Sequence, residues 1–311
     1  MEKLQPLVSA EIYQKLIKSG ISTTVDFLIT NNFELAKSIG GSTEEIEEMK
    51  LKLSKHIHKP NRIIKAIDLE PWPRLSTGCK SIDGILRKGI PVGRITEIFG
   101  CSGVGKTQFC LQLALQVQLP IDAGGLEKGA VYICTEDIFP AKRLHQLANL
   151  FKIKNNLPGI DFESSVYLKH ATDIDELQKC LFSELPILLR RENIGLVIID
   201  SIAGPFRGEN TQQYITRSRD LIQIAHKLND ICEEHKLAVV CTNQVAEDIE
   251  NSKTEPALGI AWSNSINYRC QILRYNDSSV REFEIIFSPD LARKKCIFYI
   301  TQEGLDCKDL I

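Results

Sequence analysis

Gly100-Cys101-Ser102-Gly103-Val104-Gly105-Lys106-Thr107 is the stretch on which the fold turns. It matches the phosphate-loop pattern at every fixed position. The apolar run Ile95-Thr96-Glu97-Ile98-Phe99 that precedes it reads as a strand, and residues 108–117 behind it read as an amphipathic helix. Glycines let backbone amides turn toward phosphate oxygens, and a helix N-terminus adds a favourable dipole. Gly100, Cys101, Ser102, Gly103, Val104 and Gly105 would form the cradle. Lys106 would bring charge to the β and γ phosphates, and Thr107 a hydroxyl to Mg2+. The plain alternative is a glycine-rich surface turn.

Three further strand ends follow in order. Val131-Tyr132-Ile133-Cys134-Thr135 ends in Glu136, a candidate base for the water that attacks a γ-phosphate. Leu196-Val197-Ile198-Ile199 ends in Asp200, and a carboxylate closing a buried strand is costly unless it meets a cation such as Mg2+. Val239-Val240-Cys241-Thr242-Asn243 leads to Gln244, placed to sense a γ-phosphate and reposition the loop behind it. Taken singly, Glu136 and Gln244 could be ordinary polar strand ends, and Asp200 a turn cap. The ordering carries the inference.

Composition limits the alternatives. The chain has 311 residues, 43% apolar and 25% charged, which excludes a disordered or fibrous protein. Lys plus Arg is 38 against 40 Asp plus Glu, so a globally basic nucleic-acid binder is excluded and any such contact must be local. The 10 cysteines contain no Cys-x-x-Cys pair, which argues against structural zinc and for a reducing compartment. No apolar run reaches the length of a membrane span, and the opening Met1-Glu2-Lys3-Leu4-Gln5-Pro6 leads into no secretory signal.

Residues 1–57 read as a small all-α domain of four or five short helices, with Ser9 and Thr23 or Thr24 as caps. Ser42 and Glu45 have the spacing of a capping box, with Ile46, Met49, Leu53 and Ile57 on one stripe behind it. Residues 58–76 read as a linker interrupted by Pro60, Pro71 and Pro73, with Lys59, Arg62, Lys65 and Arg74 keeping it soluble. Residues 77–311 read as an α/β core. Strands are expected near 94–99, 130–135, 166–170, 195–200 and 237–242, and helices near 105–117, 140–151, 173–190 and 211–235. This alternation predicts a mostly parallel central sheet covered on both faces. Residues 266–274, 282–287 and 296–301 predict an antiparallel extension.

A phosphate loop followed by strand-end Glu, Asp and Asn-Gln resembles the RecA-type recombinases. Leu75-Ser76-Thr77-Gly78-Cys79, Gly124-Gly125-Leu126-Glu127, Ile199-Asp200-Ser201-Ile202-Ala203-Gly204-Pro205-Phe206-Arg207 and Pro256-Ala257-Leu258-Gly259-Ile260-Ala261-Trp262 tighten it to a paralogue of the eukaryotic strand-exchange recombinase. The resemblance covers about 75–303. It implies a RecA-like phosphate-loop ATPase core behind a helical domain, ATP and Mg2+ as cofactors, and work in homologous-recombination repair of double-strand breaks in the nucleus, with a cytoplasmic pool. The implied partners are a sister paralogue, the recombinase itself, and single-stranded or branched DNA, with no membrane. Carried onto this chain, Lys106, Glu136 and Gln244 are catalytic, Thr107 and Asp200 serve Mg2+ (Asp200 through water), and Arg143 stacks on adenine.

Two loops carry DNA in that family. The first, from Gly204, offers Arg207 as a phosphate contact, although an ordinary surface arginine is equally in keeping with it. The second, residues 246–255, has Glu247, Asp248, Glu250 and Glu255 against Lys253, a net −3 that repels phosphate and argues against autonomous strand exchange. The turn Ile39-Gly40-Gly41-Ser42 resembles a helix-hairpin-helix turn. Ile63 and Ala66 have the spacing of a pair that adds an edge strand to a neighbouring core, and Ser288-Pro289 lies where the family caps ATP on the adjacent subunit. A weak DNA-dependent ATPase completed by a partner is expected. The rivals are an adaptor in which ATP only stabilises an interface, and a helicase motor.

Overall fold

The computed structural model describes residues 8–57, 65–68, 72–207, 214–248, 253–275 and 279–307, and its contacts fall into two units, Met1–Glu70 and Pro71–Ile311. Within the first unit, α1 (Ala10–Lys18), α2 (Thr24–Ile29), α3 (Asn32–Ile39) and α4 (Thr43–Ile57) enclose Leu16, Phe27, Leu35, Ile46 and Leu53. Thr23 and Asp26 make a capping box for α2, and Ser42 and Glu45 exchange the same pair of bonds at the start of α4. The turn between α3 and α4 uses its amides internally. Gly40 and Gly41 N–H donate to the Ala36 carbonyl, and Ser42 N–H to the Glu45 carboxylate. Those three groups are therefore engaged within the turn rather than presented outward.

Of the segment expected as a linker, 58–64 and 69–71, Ile63 among them, lie outside the described residues. Ala66 opens a single 3-10 turn, Ala66–Asp68, and is exposed. Arg74 corrects the expectation of a solubilising linker residue. It lies in β1 (Arg74–Leu75), paired antiparallel with β2 (Ile90–Pro91), and its side chain is only 9% exposed. Its guanidinium donates to the carbonyls of Leu86 and Gly89 at 3.0 and 3.1 Å and to the Asp290 carboxylate at 2.5 Å. Three acceptors make the burial of that charge tolerable.

The second unit is built on nine strands in the order β13-β12-β11-β10-β3-β7-β6-β4-β5. From β10 (Tyr268–Arg274) through β3 (Ile95–Phe99), β7 (Ala238–Asn243), β6 (Ile194–Asp200), β4 (Gly129–Cys134) and β5 (Val166–His170) all neighbours are parallel. On the other side β11 (Val280–Phe287), β12 (Lys295–Thr301) and β13 (Gly304–Asp306) continue antiparallel. This is the mostly parallel sheet with an antiparallel extension that the strand pattern predicts. Both faces are covered, so the central strands read as unbroken apolar runs. Alternation then assigns each side chain. Leu196 and Ile198 of β6 face one core with α5 (Lys80–Ile85), α6 (Lys106–Gln116) and α7 (Ala141–Lys154), while Val197 and Ile199 face the other.

On that second face the stretch expected as one helix near 173–190 is three pieces: α8 (Ile174–Lys179), a π-helical turn (Cys180–Glu184) and α9 (Leu185–Arg191). Pro186 lacks an N–H to continue the ladder, which accounts for the break. The long α10 (Tyr214–His235) completes this layer. Following β7, the hairpin β8 (Val245–Asp248) and β9 (Lys253–Pro256) leads into α11 (Gly259–Ser263).

Two contacts seat α6, the helix behind the phosphate loop. Phe109 stacks on Phe283 of β11 at 5.8 Å between ring centres. The buried Gln112 donates to the Thr77 carbonyl at 2.7 Å and accepts from Leu305 N–H at 2.6 Å. Gln112→Leu leaves a carbonyl and an amide of the interior unpaired, and is expected to cost about 2–4 kcal/mol in chemical denaturation. A change below about 0.5 kcal/mol, the scale of an ordinary surface substitution, would show that Gln112 does not seat this helix.

Candidate functional site

Because β3, β4, β6 and β7 run parallel, their carboxyl ends meet at one edge of the sheet, the usual place for a ligand in such folds. β3 delivers the phosphate loop. Gly105 caps α6 at φ +109°, a left-handed conformation that other residues rarely adopt, and Lys106 begins the helix. A cavity of about 440 Å3 opens at this edge. Ser102, Gly103, Gly105, Lys106 and Thr107 line it from the loop, with Glu136, Asp200 and Gln244 opposite. The four strand ends read in the sequence are thereby brought together. Gly100, Cys101 and Val104 belong to the loop but do not line the cavity. Val104 is buried in the core and Cys101 is exposed.

Asp200 is the central acceptor. Its Oδ2 takes hydrogen bonds from Thr107 Oγ1 at 2.8 Å and the Tyr132 hydroxyl at 2.6 Å, and its Oδ1 takes one from Thr242 Oγ1 at 2.5 Å. Charge-assisted bonds of this kind are the strong ones, and three of them hold the carboxylate at the end of β6. The peptide joining Asp200 to Ser201 is cis. Burial pushes the Tyr132 phenol well above its ordinary value, so it remains a donor. Burial, aided by the charge of Asp200, likewise pushes the Cys134 thiol up to about 12.

Glu136 also has several partners. Gln244 Nε2 reaches its two oxygens at 2.9 and 3.3 Å, Ser201 Oγ donates to Oε1, and Arg207 NH1 lies 3.3 Å from Oε2. Arg207, singled out for DNA, is 54% exposed and rests against the candidate base. Lys106 Nζ donates to the carbonyls of Gly100 and Cys101 at 2.7 and 2.8 Å. Burial lowers the Lys106 pKa, opposed by the negative charges of Asp200 and Glu136.

Arg143 does not line this cavity. It reaches the site through Gln108, which does. Its guanidinium edge is spent on Gln108 and Gln146 side chains and on the carbonyls of Thr301 and Gln302, all at 2.7–2.8 Å. Ser288 uses its hydroxyl within its own turn, accepting from the N–H groups of Asp290 and Leu291 and donating to the Asp290 carboxylate. Pro289 beside it is exposed. In the second loop the hairpin strands β8 and β9 pair antiparallel, and 249–252 lie outside the described residues.

Sequence reading gave no role to Tyr132, Thr242 or Ser201, whose hydroxyls orient the two carboxylates. The available signal was local. Tyr132 and Cys134 share one face of a strand by its two-residue period, Thr242 precedes the Asn-Gln pair, and Ser201 follows Asp200. Among the described residues no cluster of three His, Cys, Asp or Glu side chains is placed to bind a metal, and no helix is long and apolar enough to cross a membrane.

The profile of the Rad51 family matches residues 72–308. DNA repair protein XRCC3 of Mus musculus is 33% identical over 97% of this chain and 95% of its own length. The Bos taurus protein of that name is 38% identical over 76% of this chain and 75% of its own, and DNA repair protein rhp57 of Schizosaccharomyces pombe is 31% identical over 88% and 90%. The stretches that point to a recombinase paralogue and these relatives agree.

The chemistry of the two thiols at the site differs in a way that can be read directly. Cys101 is exposed on the phosphate loop, while Cys134 lines the cavity as a thiol with a pKa of about 12. Iodoacetamide at pH 8 is expected to label Cys101 well before Cys134, followed by peptide mass spectrometry. Labelling of Cys134 first would contradict the described burial.

Proposed function

The chain belongs to the Rad51 family, whose members bind nucleotide, and from that premise we propose that it is an ATP-binding recombinase paralogue serving homologous-recombination repair of DNA double-strand breaks. It acts in the nucleus as part of a hetero-oligomer, with a sister paralogue, that loads, stabilises or remodels recombinase filaments on single-stranded or branched DNA. One observation supports this most: Lys106, Thr107, Glu136, Asp200 and Gln244 converge on a single cavity.

The residues divide the work. Loop amides and Lys106 bind and neutralise the phosphates. Thr107 Oγ1 and Asp200 Oδ2, 2.8 Å apart, are two hard oxygens of the kind Mg2+ uses together with phosphates and water, Asp200 acting through water. Mg2+ held by Thr107 and Asp200 would neutralise charge on the phosphates. Glu136 orients the attacking water and accepts its proton at a carboxylate oxygen. To do so it must shed some of its present donors, which Gln244 allows by turning to the γ-phosphate. Arg143 has its edge engaged and gives its planar face to adenine. Ile63 with Ala66, and Ser288 with Pro289, provide the contacts to neighbouring subunits.

DNA reaches this chemistry through Arg207. A DNA phosphate competes with Glu136 for the same guanidinium, so strand binding loosens the base. The second reading is an adaptor that binds ATP without turning it over. It is favoured by the acidic second loop and by the four donor contacts that now hold Glu136.

Turnover of ATP by the purified chain, with and without single-stranded DNA and with Lys106→Ala as the blank, separates the two. The first reading expects turnover that rises with DNA and falls with salt, because the DNA contact releases counterions. Glu136→Gln should then lower turnover by about a hundredfold or more with ATP binding intact, and Arg207→Ala should lose most of the stimulation by DNA. Tight ATP binding with no turnover in either condition would mean that another subunit completes the site or that ATP serves only the interface, and the same assay with the sister paralogue added distinguishes these.

A further inference from the structure

Glu97 is a fully buried carboxylate in the middle of β3, and nothing in the chemistry above uses it. Its Oε1 accepts from Asn243 Nδ2 at 2.8 Å and from the indole N–H of Trp262 at 2.8 Å, while its Oε2 is paired with the Arg269 guanidinium. Arg269 stands opposite Glu97 in the β10–β3 register. The Asn243 amide is thereby fixed. Its nitrogen donates to Glu97 and, at 2.8 Å, to the Ala257 carbonyl, so its oxygen is left to accept the N–H of Gln244 at 2.8 Å. A flipped amide would set its oxygen against a carboxylate and its NH2 against an N–H, both repulsive. The carboxylate of Glu97, together with the Ala257 carbonyl, therefore sets which way Asn243 faces, and Asn243 holds the backbone of the residue that reaches Glu136.

The same group clamps the second loop. Val245 follows Gln244 directly, and at the far end of the hairpin Ala257 N–H donates to the Gln244 carbonyl at 2.8 Å while the Ala257 carbonyl accepts from Asn243. Beyond it, α11 sends Trp262 to Glu97, and Arg269 also reaches Ser263 Oγ of α11 at 3.0 Å. Both ends of the hairpin and the helix after it are thus tied to one carboxylate.

We propose that Glu97 is the positioning residue of the γ-phosphate sensor: through Asn243 it aims Gln244, and through Trp262 and Arg269 it transmits the position of Gln244 to the segment behind the second loop. This rests on the reading of the cavity as an ATP site. Glu97 touches no nucleotide and acts only through its neighbours.

The chain holds two tryptophans, Trp72 and Trp262, so Trp72→Phe in the full-length protein leaves Trp262 as the sole reporter. Binding of ATPγS and of ADP is measured separately by equilibrium dialysis with labelled nucleotide. With each nucleotide saturating, ATPγS is expected to shift Trp262 emission, ADP to leave it unchanged, and the added Gln244→Ala change to abolish the shift. In addition, Glu97→Gln should reduce the preference for ATPγS over ADP by about tenfold, the worth of one charge-assisted hydrogen bond, with ADP affinity retained. A merely structural carboxylate would weaken both nucleotides equally. Equal weakening, a silent Trp262 in protein saturated with ATPγS, or an equal shift with ADP overturns the proposal and leaves the ATP site intact. If Glu97→Gln does not fold, the Trp262 measurement alone decides. Absence of any nucleotide binding removes both the proposal and the reading beneath it.

Discussion

The carboxylate of Asp200 organises the site. It ends the interior strand β6 and accepts hydroxyls from three other elements: Thr107 of α6, Tyr132 of β4 and Thr242 of β7. Asp200 is half-buried at the edge of the cavity, and the three donors replace part of the hydration its carboxylate loses there. The bonds fix the first turn of α6 against the sheet, and with it the phosphate loop. Burial raises the pKa of the nearby thiols of Cys110 and Cys134 and of the Tyr132 phenol, while the carboxylates of Asp200 and Glu136 face Lys106.

Glu136 presents the complementary problem. Asp200 is held by hydroxyls of two threonines and of the buried Tyr132, on strands and a helix start, groups with little freedom. Glu136 is held by the side chains of Gln244 and Arg207, which are longer and project from the starts of the two loops, and by Ser201. The rigid carboxylate suits a metal ligand. The adjustable one suits a base whose partners must change. This difference in donor type, more than any difference in exposure, separates the two acidic groups.

The sequence made the octet legible because each of its fixed positions has a separate physical reason. Glu136, Asp200 and Gln244 were legible because each closes or follows a largely apolar run of strand character. Strand order was not. Period-two alternation says that Tyr132 and Thr242 leave given faces, but which strands are neighbours depends on contacts far apart in the chain, so their shared bond to Asp200 could not be read. Very short elements were hidden for a related reason. The pairs Arg74–Leu75 and Ile90–Pro91 have no period, and Arg74 looks like any soluble linker residue until Leu86, Gly89 and Asp290 are brought round it. β13 is three residues long and is held by Gln112, a polar residue on an apolar helix face that pattern alone would send to solvent.

β3 ties these observations together. Its carboxyl end carries the phosphate loop, and two residues earlier it carries Glu97. A buried ion pair such as that of Glu97 with Arg269 is not a strong source of stability, since well-packed apolar side chains of similar volume often do as well or better. What an apolar pair could not do is accept from the Asn243 amide nitrogen, which Glu97 shares with the Ala257 carbonyl. Through Asn243 the Gln244 backbone is held from the strand that leads into the phosphate loop. The two side chains expected on either side of a γ-phosphate are therefore referenced to a single rigid element.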